Sequence, residues 1–134
     1  MDKKKLPIGY YLKEADQLLT SGINKIHAEA GLTRTDWQIL NSINRQDGLE
    51  RTVVLDLLAK FATMEIINGA IENLVRKNLI FENITLNLTD KGKEIYRSGL
   101  ERQNSFREKA MRDISEQEYL QLIATLEKVI ENLN

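Results

Sequence analysis

Hydrophobic side chains recur at intervals of three or four along most of this 134-residue chain. Leu12, Ala15, Leu19, Ile23, Ile26 and Ala30 share one face of a helix over residues 8–30, and Gly31 stands where it would stop. In the LTRTDWQILNSINR segment that follows, Trp37, Leu40 and Ile43 lie on one face. Thr35 with Gln38 has capping-box spacing, Thr33 with Asp36 competes for the same role, and Asp47-Gly48 closes the helix. RTVVLDLLAKFA carries a shorter pattern that assigns Val53, Val54, Leu57, Leu58 and Phe61 to a core. After a break near Ala62-Thr63, MEIINGAIENLVRKN repeats Ile67, Ala70 or Ile71, and Leu74, and Asn78 ends it where glycine is more usual. Two short helices joined by a tight turn make a helix-turn-helix shape.

The period then drops to two. In LIFENITLNL, Ile84, Leu86 and Leu88 alternate with Thr85 and Asn87, which predicts strands at 79–81 and 84–88 around a Glu82-Asn83 turn. Glu-Asn is a weaker turn pair than Asn-Gly, so a slightly longer turn is compatible with the pattern. Thr89 caps the next helix, TDKGKEIYRSGLERQNSFREKAM, despite glycines at 92 and 99. Ser115 and Glu118 box the start of the last helix, whose stripe is Tyr119, Leu122, Ile123, Leu126, Val129 or Ile130, and Leu133. The expected fold is mainly α with a small β-hairpin, in one domain without repeats or linkers. The terminal helices carry longer apolar stripes than so small a core covers, which predicts a C2 homodimer.

Composition narrows the function. Zero cysteines exclude disulfides, thiol redox chemistry and Cys-ligated metals, and suit a reducing cytoplasm. No run approaches the roughly 18 apolar residues of a membrane span, and Lys13, Glu14 and Asp16 interrupt any signal-peptide core. No nucleophile–base pair, phosphate loop or metal-ligand set emerges, and the only histidine, His27, reads as polar or interfacial. Neither an enzyme nor a cofactor is expected. The Lys3–Lys5 run reads as a solvated terminus. Nineteen basic against twenty acidic residues give a net charge of −1, which supplies no electrostatic argument for nucleic acid.

Four segments in order change that picture: GLTRTDWQIL, LLAKFATMEIINGAIENLVRKNLI, LTDKGKEIY and ISEQEYLQLIATLEKVIENL. Together they resemble the MarR family of winged-helix transcription regulators, over about residues 8 to 133. LTDKGKEIY, directly after a hairpin, is the most specific piece. The resemblance implies a winged helix-turn-helix over about 33–90, flanked by dimerisation helices over about 8–30 and 90–133. It implies a cytoplasmic DNA-binding regulator acting as a homodimer, with the fourth helix in the major groove and the wing at the minor groove. It also implies a small, often aromatic ligand bound between the dimer helices and the reading head; Trp37, Tyr10, Tyr11 and Tyr96 are candidates for that pocket or for aromatic core.

Carried onto this sequence, the DNA-binding positions are Glu65, Asn68, Glu72 and Asn73 on the reading helix, with Arg51, Lys60 and Arg76 toward phosphates. Asn68 and Asn73 suit an adenine edge, whereas Glu65 and Glu72 repel phosphate. For Arg76 and Lys77, interaction with the helix C-terminus competes with a phosphate contact. Family wings usually carry a longer charged tip with an Asp-Arg pair, while here only Glu82 and Asn83 lie between the predicted strands. Over residues 50–92, five basic side chains (Arg51, Lys60, Arg76, Lys77, Lys91) face six acidic ones (Glu50, Asp56, Glu65, Glu72, Glu82, Asp90), a net −1. The hairpin therefore reads as a lid on the core more than as an arm. Two functions follow: a MarR-like DNA-binding regulator, or a MarR-like dimer without strong DNA binding that acts through protein or ligand contacts.

Overall fold

In the computed structural model, which describes residues 5–134, six helices and one hairpin follow the expected order. They are α1 (Ile8–Glu29), α2 (Arg34–Gln46), α3 (Arg51–Leu58), α4 (Met64–Arg76), β1 (Ile80–Glu82), β2 (Leu86–Leu88), α5 (Asp90–Ala110) and α6 (Glu116–Leu133). Lys3 and Lys4 of the basic run lie outside the described residues.

Local chemistry sets most of the boundaries. Of the two caps competing at α2, Thr33 and Asp36 win: the Asp36 amide donates to Thr33 Oγ1 at 3.0 Å and the Thr33 amide to Asp36 Oδ2 at 2.9 Å. Asp47 then turns left-handed, φ 54°, and ends the helix. Asn78, at φ 62°, does the same after α4. Thr89 caps α5, and Ser115 with Glu118 boxes the start of α6.

The core gathers Ile39, Leu40 and Ile43 of α2, Ile67, Ile71 and Leu74 of α4, and Ile80 and Leu86 of the hairpin, all at 1% exposure or less. Tyr96 of α5 stacks on Trp37 at 4.8 Å and donates its hydroxyl to Asn41 Oδ1 at 2.6 Å. Gly99 permits that stack, because a Cβ there would stand 2.7 Å from the Trp37 ring. The glycine reads as a helix flaw in sequence and is a close-approach site in space.

Two expectations are corrected. In α3 only Val54 and Leu58 are buried, while Val53, Leu57 and Phe61 are 38%, 52% and 64% exposed. An eight-residue helix buries one narrow face, and Phe61 stands beyond its end. In the hairpin, Ile80 pairs with Leu88, Phe81 with Asn87 and Glu82 with Leu86, so the turn is Asn83-Ile84-Thr85 rather than Glu82-Asn83. Asn side chains favour this longer turn: the Thr85 amide donates to Asn83 Oδ1, and Asn87 Nδ2 donates to the Thr85 carbonyl. Ile84, expected on the buried face with Leu86 and Leu88, sits at the tip and is 89% exposed. An isolated antiparallel bridge from Leu49 to Leu86 holds the segment before α3 beside β2.

Candidate nucleic-acid interface

The tight turn between α3 and α4 leaves one side of α4 in the core and the other in solvent. Ile67, Ile71 and Leu74 face inward at 0% exposure. Glu65, Gly69 and Glu72 are exposed, and Asn68 and Asn73 are half-buried beside them. A Cβ added at Gly69 would meet nothing within 4 Å, so this face is open to close approach. The Thr63 hydroxyl accepts from the Ile66 amide and fixes where α4 begins.

Three of the seven positions assigned to DNA binding meet around one guanidinium. Arg51, the first residue of α3, donates Nη1 to Asn68 Oδ1 at 2.9 Å and Nη2 to Glu72 Oε1 at 3.0 Å. It also grips Glu82 of β1 at both carboxylate oxygens, Nη2–Oε1 at 2.7 Å and Nε–Oε2 at 3.1 Å. Hydrogen bonding to Glu82, before any other cause, pushes Arg51 above its ordinary pKa and holds the Glu82 carboxyl below the usual carboxylate range. Glu82 is the member of this group that sequence reasoning missed as a site residue. The signal is nonlocal, since the pair is separated by thirty-one positions.

The other assigned residues stand apart from that cluster. Arg76 leans on Asn73 Oδ1 at 3.4 Å, one turn further along α4. Lys60 is exposed in the turn after α3, and Glu65 is exposed in the first turn of α4. Lys77 donates Nζ to the Gly31 carbonyl at 2.9 Å, so it ties the end of α4 to the end of α1.

A second concavity, about 340 Å³, opens between α1, α2 and α5. Trp37, His27, Gln103, Arg34 and Arg107 are among its lining residues. Trp37 both packs on the core and borders this cleft, whereas Tyr10 and Tyr11 lie on the exposed part of α1. His27 is 4% exposed, sits 5.2 Å from the Trp37 ring centre, and meets Gln103 Nε2 through its own Nε2 at 2.9 Å. Its buried Nδ1 has no partner among the described residues. Burial first, and the Arg34 charge second, depress the His27 pKa, against a weaker opposing pull from Asp36. Gln103 and Arg107 carry no periodic or motif signal, and Arg34 lies within GLTRTDWQIL without a role of its own there.

Among the described residues no helix is long and apolar enough to cross a membrane. No protein-family model matches the sequence, and no curated protein matches it. Solved structures do. MepR, a transcription regulator of the Staphylococcus aureus multidrug efflux pump MepA, superposes with a TM-score of 0.78 at 19% identity, over 96% of this chain and 100% of that one. A MarR-family protein from Mycobacterium tuberculosis, in complex with DNA, gives 0.73 at 16% identity over 93% and 98%. A MepR mutant bound to an oligodeoxyribonucleotide gives 0.70 at 18% identity over 97% and 100%. Six helices around one short antiparallel wing, aligned with these structures over more than nine-tenths of the chain, are the winged-helix fold of the MarR-family transcription regulators.

Proposed function

We propose that this protein is a cytoplasmic MarR-type transcription regulator that binds double-stranded DNA as a homodimer, with α4 as its reading helix. The observation that carries the reading is the open polar face of α4, where Asn68, Gly69, Glu72 and Asn73 follow a tight turn from α3. Asn68 and Asn73 supply amides for base edges, and Lys60 and Arg76 supply charge for phosphates. α1, α5 and α6 serve as the dimer helices, which gives the uncovered stripes of α1 and α6 an apolar partner. The cleft beside Trp37 has the size and aromatic wall for a small planar ligand, and it lies between those helices and α2, so an occupant would bias how the reading head is held.

One observation favours a second reading, in which the dimer works through protein or ligand contacts and binds DNA poorly. The cation that α3 places against the α4 face, Arg51, is already held by two carboxylates, and the wing has no basic residue between its strands. Fluorescence anisotropy with labelled duplexes, titrated at several salt concentrations, decides between the two. Binding at low salt with a log–log slope of several units establishes phosphate contacts and supports the regulator. Flat anisotropy from folded, dimeric protein across a duplex library rejects it.

A further inference from the structure

We infer that Arg51 is a positioning residue that clamps the wing to the reading helix, and that Glu72 and Glu82, by occupying it, suppress sequence-independent phosphate binding. This rests on the DNA-binding reading above. A guanidinium has five N–H donors, and four hydrogen bonds to Glu82, Glu72 and Asn68 already engage Arg51. The two contacts to Glu82 form the bidentate fork that fixes both partners in direction as well as distance. α3, α4 and β1 are thereby tied at one point, so the wing and the reading helix present to a duplex as a unit.

The charge arithmetic of the cluster has a further effect. One guanidinium between two carboxylates leaves −1 at the centre of the surface that would meet the phosphate backbone. One Nη1 hydrogen is left over, so an approaching phosphate must displace a carboxylate to take a two-point hold on Arg51, and it meets the uncompensated charge as it comes. Non-specific affinity is lowered more than the affinity for a site that Asn68 and Asn73 can read at base edges. Discrimination here comes from a repulsive element built into the head.

The test uses isosteric variants of the full chain in anisotropy titrations against a labelled duplex of mixed sequence, with circular dichroism melts to confirm folding. E72Q/E82Q is expected to tighten binding by roughly tenfold at low salt. Its log–log salt slope should steepen by about one unit per protomer as Arg51 gains a phosphate. E65Q removes a negative charge from the same face at a residue without an ion pair among the described residues. It should gain less, and its slope should not change. Adding R51Q to E72Q/E82Q should return the slope to the parent value, which a loss of wing rigidity alone would not do.

A double variant that gains no more than E65Q, while the parent protein binds, overturns the clamp and leaves the DNA-binding reading standing. So does a triple variant that keeps the full gain. If neither parent nor variants bind any duplex at the lowest salt, both inferences fall together. Binding by E72Q/E82Q at a salt concentration where the parent has already let go of the duplex supports the clamp.

Discussion

At the scale of single residues, His27 and the glycines of α5 show opposite relations between type and role. His27 is buried against Trp37, with Gln103 Nε2 2.9 Å from its Nε2, and this setting favours the neutral ring, which accepts there and keeps its proton on Nδ1. Its folded pKa lies below the ordinary 6.5, so between those values the unfolded chain binds a proton that the folded chain refuses. The stabilisation is complete above about 6.5 and is lost as pH falls from there to the folded pKa. Urea unfolding midpoints should therefore drop as pH falls below about 6.5, and the drop should shrink in His27→Gln. Parallel pH profiles for the two proteins would remove this role.

Gly92 acts through the backbone. A Cβ at this position would stand 1.9 Å from the Leu79 carbonyl oxygen, which accepts from the Thr89 amide at the start of α5. Gly92→Ala is expected to cost about 3 kcal/mol through overpacking, although alanine is the better helix former by about 1 kcal/mol. Thermal denaturation measures the sign directly. A stabilised variant would mean that the hairpin and α5 separate easily.

Among the elements, the helix caps were the most legible because each is decided within four residues. Ser115 with Glu118 and Thr89 could be read from spacing alone. At α2 the spacing permitted two caps, and burial decided: Asp36 is 3% exposed and reaches back to Thr33. Thr33→Ala should cost about 1 kcal/mol, while Thr35→Ala should stay within about 0.5 kcal/mol. Equal losses in chemical denaturation would show that the cap is shared.

The reading of α3 went wrong at the same scale for a reason of length. Over eight residues a 3.6 period does not tell which apolar neighbours turn inward, and the packing of α2 and α4 selects Val54 and Leu58. In the wing, strict alternation placed Ile84 inside. The Asn83 and Asn87 side chains instead stabilise a three-residue turn that carries it to the tip.

For the whole molecule, the terminal helices leave apolar surface uncovered. α6 buries no residue, with Ile123 at 37% exposure, Leu122 at 54% and Ile130 at 59%. Leu12 and Leu19 of α1 are both 41% exposed. These are the stripes whose length in the sequence predicted a partner. In analytical ultracentrifugation the protein is expected to sediment as a dimer, and Ile123→Glu to shift it toward monomer. A variant that stays dimeric would place the interface elsewhere.

The sequence by itself determined what depends on neighbours a few residues apart. Periodicity located six helices and a hairpin, caps set several ends, and the ordered segments pointed to the winged-helix fold. Tertiary structure alone decided which cations are free. Arg51 looked like a phosphate contact because its type and place suited one, and only the approach of α4 and β1 brings Glu72 and Glu82 around it. The same holds for the cleft, where His27, Trp37 and Gln103 come from three helices. Local spacing encodes hydrogen bonds within a turn of helix, whereas a side chain's charge environment is set by whichever distant segments pack against it.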